Sequence, residues 1–140
     1  MYDSLEDLVG KKIQRIFMND QYLRFETDAG IFHYIVSGGC CSNSYFHDFI
    51  GVQKLLKNGK VISTRSIDLE LSPEEKLDHD DYETIQCYGF ELVTEDPEFG
   101  EVTSIMSFRN SSNGYYGGSL ESATDSPSDL PEILADWLGD

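Results

Sequence analysis

A chain of 140 residues fits one domain, and that size buries enough apolar surface for a stable core without disulfides or metal; its eight Phe and eight Tyr set it apart from disordered chains. No apolar run approaches the roughly 18 residues that span a bilayer, and the N-terminal MYDSLEDLVG lacks the basic and apolar regions of a secretory signal, so a cytoplasmic protein without membrane contact is expected. The net charge of −16 opposes binding to nucleic acid or anionic lipid and favours basic protein surfaces or cations, if it does more than keep the chain soluble.

The first elements read as strands. KKIQRIFMND and QYLRFETDAG join at Asn19-Asp20, with Ile13, Phe17, Leu23 and Phe25 as core candidates, and IFHYIVS follows Asp28-Ala29-Gly30 as a third strand of a meander. GGCCSNSYFHDFIGVQKLLKN changes character. Ser42, Asn43 or Ser44 offers an N-cap, and Phe46, Phe49, Ile50, Leu55 and Leu56 have spacings that a helix gathers on one side. One or two short helices ending at Asn58-Gly59, divided at Gly51, are expected here.

KVISTRSIDLEL resumes alternation as a fourth strand, and SPEEKLDHDDYE is a polar acidic loop. TIQCYGFELVTE and EVTSIMSFRNS form a hairpin about DPEFG. Asn113-Gly114 then turns the chain back through YYGGSLESA as a seventh strand beside the sixth, with Tyr115 and Tyr116 on opposite faces. In SPSDLPEILADWLGD, Pro131 begins a short helix whose apolar side holds Ile133, Leu134, Trp137 and Leu138. The expected fold is α+β: a mostly antiparallel, curved sheet of about six or seven strands, one or two short helices after strand 3 and a short C-terminal helix. Residues 1–124 form the domain, and 125–140 an acidic tail.

Charge is unevenly spread. Up to Arg65 there are eight Lys or Arg against seven Asp or Glu; from Ser66 onward there are two against nineteen. Glu74, Glu75, Asp78, Asp80, Asp81, Glu95, Asp96 and Glu98 are the candidates for an acidic surface.

Reactive chemistry is sparsely signalled. Cys40, Cys41 and Cys87 fit neither a paired disulfide framework nor a CxxC zinc spacing. Cys41 ahead of a helix start, with His33 and His47 in reach, is a conceivable nucleophile, but no orienting acid or oxyanion hole is marked, and packing is the commoner role of cysteine. No catalytic residue, metal site or cofactor is assigned. DHDDYE lacks the glycine and terminal glutamate of an EF-hand loop, and SSNGYYGGSLES lacks the pattern of a P-loop. A candidate binding shelf comprises Cys41, Ser42, Arg109, Asn110, Asn113, Tyr115 and Tyr116.

GGCCSNSYFHDF, followed by YGFELVTE and FRNSSNGYYGGSL, resembles a family of small uncharacterised bacteriophage and bacterial proteins, a domain of unknown function, over about residues 5–122. The resemblance extends to the LVGKKI opening at residues 8–13. It implies a phage or bacterial context and suggests that the Cys-Cys-Ser and Asn-Gly-Tyr-Tyr segments meet in space; it implies no activity.

Three functions are therefore carried forward. The first is a non-enzymatic, phage-type accessory protein that meets a basic host protein through its acidic half, in one version by imitating the phosphates of DNA with the thirteen acids of residues 68–101, which face only Lys76. The second is a small-ligand or nucleotide-binding module built on the Asn-Gly-Tyr-Tyr hairpin and the Cys-Cys segment. The third is an enzyme with Cys41 as nucleophile. A homodimer through an exposed sheet edge is compatible with each.

Overall fold

In the computed structural model, residues 4–38, 43–69, 84–112 and 118–139 are described. A 3₁₀ turn, Ser4–Leu8, precedes β1 (Ile13–Met18), β2 (Tyr22–Thr27), β3 (Gly30–Gly38) and β4 (Asn43–Ile50). One short helix, α1 (Val52–Lys57), leads to β5 (Val61–Asp68), β6 (Thr84–Asp96), β7 (Gly100–Ser112), β8 (Gly118–Ala123), β9 (Glu132–Ile133) and β10 (Trp137–Leu138). The strands form two five-stranded sheets, ordered β8-β3-β2-β1-β9 and β10-β4-β7-β6-β5, with every pairing antiparallel.

The architecture is thus nearly all β, which overturns the α+β expectation. The reason is visible at β4. Its register shifts between Phe46 and Asp48, so the two buried aromatics Phe46 and Phe49 stand three residues apart. A β-bulge has given a strand the spacing of a helix face. Helix begins only after Gly51, whose positive φ of 84° ends the strand direction.

The C-terminal segment is the second correction. Where a helix was expected, β9 pairs with β1 and β10 with β4, so one extended segment supplies an outer strand to each sheet. A helix of so few residues would gain little by itself, whereas extended backbone finds partners on two open edges. Met18 N–H donates to the Pro131 carbonyl (3.0 Å), and Gly139 N–H donates to the His47 carbonyl (2.8 Å). The Asp136 carboxylate accepts from the N–H groups of Gly51 (2.8 Å) and Val52 (3.1 Å) at the start of α1. Upstream, the same segment crosses the outer face of the first sheet: Arg24 donates to Ser126 Oγ and the Pro127 carbonyl, both at 3.0 Å, and Leu130 is buried.

Strand β8 gives the third. It pairs with β3 and not with β7, so the chain passes from one sheet to the other between Ser112 and Gly118 instead of closing a hairpin. The Asn113-Gly114 dipeptide itself lies outside the described residues.

The inner faces meet in one core. Ile13, Ile16, Leu23, Phe25, Tyr34 and Val36 come from the first sheet, and Phe46, Phe49, Phe90, Leu92, Met106 and Phe108 from the second. Phe25 touches Phe49 across the layers edge to face at 6.1 Å and Tyr34 within its own sheet at 6.0 Å. Leu5 and Leu8 of the 3₁₀ turn, with Val52 and Leu55 of α1, complete the core. Phe17 is buried on the opposite face of β1, under the guanidinium groups of Arg15 and Arg24 at 4.9 and 4.2 Å. Among the described residues no helix is long and apolar enough to cross a membrane.

Removing an aromatic at the layer interface leaves a cavity that rigid sheets do not fill. Phe49→Ala is expected to lower unfolding free energy by about 3–5 kcal/mol, and Asp136→Ala, which uncaps α1, by about 0.5–2 kcal/mol, both read by urea denaturation.

Candidate functional site

Two ends of the sandwich carry the residues that sequence reading singles out. At the first, cross-strand pairs fix where the connections leave: Gly38 opposite Gly118, Asn43 opposite Ser111 and Thr84 opposite Ser112. The strands that flank residues 39–42 and 113–117 therefore lie side by side. Asn110 Nδ2 donates to Ser44 Oγ (2.8 Å), and Ser44 Oγ donates to the Ser37 carbonyl (2.9 Å). Gly118 N–H reaches Tyr88 Oη (3.2 Å), which donates to Gln86 Oε1 (2.9 Å), and the Tyr88 ring stacks on Phe108 at 4.8 Å. Gly118 is required by this packing, because a Cβ there would lie 2.6 Å from Ser44 Oγ and 3.0 Å from Asn110 Cβ.

Of the proposed shelf, Arg109 and Asn110 are thus interior residues, 5% and 0% exposed. Buried amides and hydroxyls in such a network hold strands in register and offer a ligand little. Cys41, Ser42, Asn113, Tyr115 and Tyr116 lie outside the described residues. His33 Nδ1 is bonded to Ser126 Oγ (2.8 Å), Cys87 is half-buried, and among the described residues no three His, Cys, Asp or Glu side chains are grouped to hold a metal ion.

The other end is the turn between β6 and β7. Asp96 is buried, and its Oδ1 accepts from the N–H groups of Glu98 (2.8 Å) and Phe99 (3.0 Å), fixing the turn from within. Its Oδ2 takes a hydrogen bond and ion pair from Lys54 Nζ on α1 (3.0 Å). The Lys54 bond, then the two turn N–H groups, hold the Asp96 carboxyl down at about 2. Lys54 also stands 4.9 Å over the Phe99 ring.

This turn presents an unusual surface. Phe99 is 69% exposed at its tip, and the exposed Glu98 precedes it. Glu95 and Glu101, also exposed, are direct cross-strand partners, an arrangement of like charges that weakens a ladder. A groove of about 600 Å³ beside the turn is lined by Lys57, Asn58, Lys60, Ile62, Glu95 and Pro97. Of the acids expected on the surface, Glu95 and Glu98 stand there, Asp96 is interior, and Glu74, Glu75, Asp78, Asp80 and Asp81 lie outside the described residues.

Phe99 and Lys54 were missed by sequence reading, while Glu101 entered it only as one of the thirteen acids of residues 68–101. The available signal was a large aromatic within DPEFG, where a turn normally takes small or polar residues.

Residues 6–121 match a family model described as Domain of unknown function (DUF7448). No curated protein and no solved structure matches the chain.

The Asp96 shift gives a signed pH dependence. Its folded-state value lies below the ordinary 3.8, so the ionised carboxylate stabilises the fold above about pH 4, and that contribution is lost as pH falls toward 2. Asp96→Asn is expected to be less stable than the parent at neutral pH, with the difference shrinking through this acid window in urea titrations; a difference independent of pH would contradict the assignment.

Proposed function

The chain belongs to the DUF7448 family, and we propose that it works by protein contact, presenting the β6–β7 turn to a basic surface on a partner. The observation that carries this reading is Phe99, 69% exposed on a turn that a buried carboxylate holds rigid from below. Exposed aromatics on ordered backbone are what contact surfaces use as anchors, because little conformational freedom is lost on docking. Around it Glu95, Glu98 and Glu101 supply charge in a −16 protein, which steers a basic partner from a distance and selects against acidic ones.

An accessory protein of phage type, non-enzymatic and acting in the host cytoplasm, fits this surface. Its phage or bacterial context rests on the resemblance of the Cys-Cys-Ser and Ser-Asn-Gly-Tyr-Tyr segments. In the version that imitates DNA, the same acids replace phosphates. Two acids of that stretch are occupied internally, Glu91 by Arg65 (2.7 Å) and Asp96 by Lys54 (3.0 Å), which favours a local patch on the turn over a long row.

The test is capture of partners from bacterial lysate by the immobilised chain, by Phe99→Ala and by the triple variant Glu95→Gln, Glu98→Gln, Glu101→Gln. The expected result is a basic protein retained at low salt, released as ionic strength rises through about 0.1–0.2 M, and reduced at least tenfold on both variants. Retention that ignores salt and both variants would refute the reading.

A further inference from the structure

A second site, independent of the β6–β7 turn, lies where the C-terminal segment runs from one sheet to the other. Between β9 and β10 on one side and the β1–β2 turn and the start of β4 on the other is a cleft of about 690 Å³, a size typical of small-ligand pockets. Tyr45, Phe46 and Trp137 are among the residues that line it; the Phe46 ring is buried in the core against Phe108, so the cleft's partly exposed aromatics are the half-buried Tyr45 and Trp137. Its polar lining residues are Asn19, Asp20, Asn43 and Glu132, and no Lys or Arg is among the described residues that line it.

The two acids differ in what they can do. Glu132 is already bound by the Arg15 guanidinium, with Nε at 3.1 Å and Nη2 at 2.9 Å, which holds its carboxyl below the usual range. Asp20 is exposed on the β1–β2 turn, and that turn is fixed. Asn19 Oδ1 accepts from Gln21 N–H (2.9 Å) and Tyr22 N–H (2.8 Å), and the Asp20 carbonyl accepts from Phe46 N–H (2.8 Å), which ties the turn to β4. A carboxylate on a fixed turn, in a cleft that Tyr45 and Trp137 also line and in a strongly acidic protein, attracts a cation that also has apolar surface. Aromatic faces repel anions by their quadrupole, and a metal ion would find too few oxygens.

We propose that this cleft binds an organic cation, an alkylammonium or guanidinium group held by the Asp20 carboxylate against the half-buried aromatics Tyr45 and Trp137. The cation is either a free amine or a basic side chain carried on a peptide, and both use the same chemistry.

Trp137 is the only tryptophan of the chain and lines the cleft, so its emission reports occupancy. The full chain is titrated at constant ionic strength with tetramethylammonium and with an Ala-Arg-Ala amide, each against a neutral counterpart, tert-butyl alcohol and Ala-Gln-Ala amide. Saturable change with at least one cation and none with its neutral counterpart is expected; the cation that saturates identifies the source. Asp20→Asn, an exposed turn substitution checked for folding by circular dichroism, is expected to weaken binding about tenfold. Absence of saturation with both cations, equal binding of the neutral molecules, or an unchanged affinity in Asp20→Asn would each overturn the proposal.

Discussion

The edge-to-face contact of Phe25 with Phe49 is where two sheets that share no strand meet, and the remaining structure is arranged about it. Sheets held only by apolar packing need devices that fix their edges and relative placement. Here the C-terminal segment serves, since it adds β9 to the first sheet, β10 to the second and a carboxylate cap to α1 between them. On the far side of α1, Lys54 ties the helix to the β6–β7 turn through Asp96. The contact surface and the cleft both follow from these ties: one is the outside of the Asp96 turn, the other the space left between the crossing segment and β4.

Much of the strand content was legible, because β1, β2, β5, β6 and β7 carry local signals: alternation, Asn-Asp and Asp-Pro turns, β-branched and aromatic runs. What failed depended on long-range pairing. The bulge at His47 turned a period of two into a step of three between Phe46 and Phe49, and that step imitates a helix. The Asn-Gly signal at residues 113 and 114 says that a chain turns but not which strand it will meet, and β8 finds β3 in the other sheet. Ile133, Leu134, Trp137 and Leu138 have helical spacing, yet Leu134 and Leu138 are 68% and 72% exposed, since two open edges outcompeted a short helix.

The candidate sites were legible only in part. The Cys-Cys-Ser and Asn-Gly-Tyr-Tyr segments lie outside the described residues; what the structure gives is the pairing of the strands that flank them, Gly38 with Gly118 and Asn43 with Ser111. Arg109 and Asn110, however, look like surface residues in FRNSS and are interior, because a long β7 carries polar side chains into the end of the core beside Ser44. Asp96 reads as one more acid in an acidic run and is the internal brace of its turn. Burial of a single carboxylate among exposed neighbours leaves no mark in composition. Phe99 left one, an aromatic in a turn, whose meaning depends on the neighbouring helix supplying Lys54.

The central claim is that the turn held by Asp96 is the surface the protein offers to a basic partner. It is tested most directly by placing a photo-crosslinking benzoylphenylalanine at Phe99, and in a second chain at Glu121 on β8, then irradiating each in bacterial lysate. The account predicts crosslinks to a basic protein from position 99 that fade at high salt, and none of that protein from position 121. Crosslinks from position 121 with none from position 99 would contradict it.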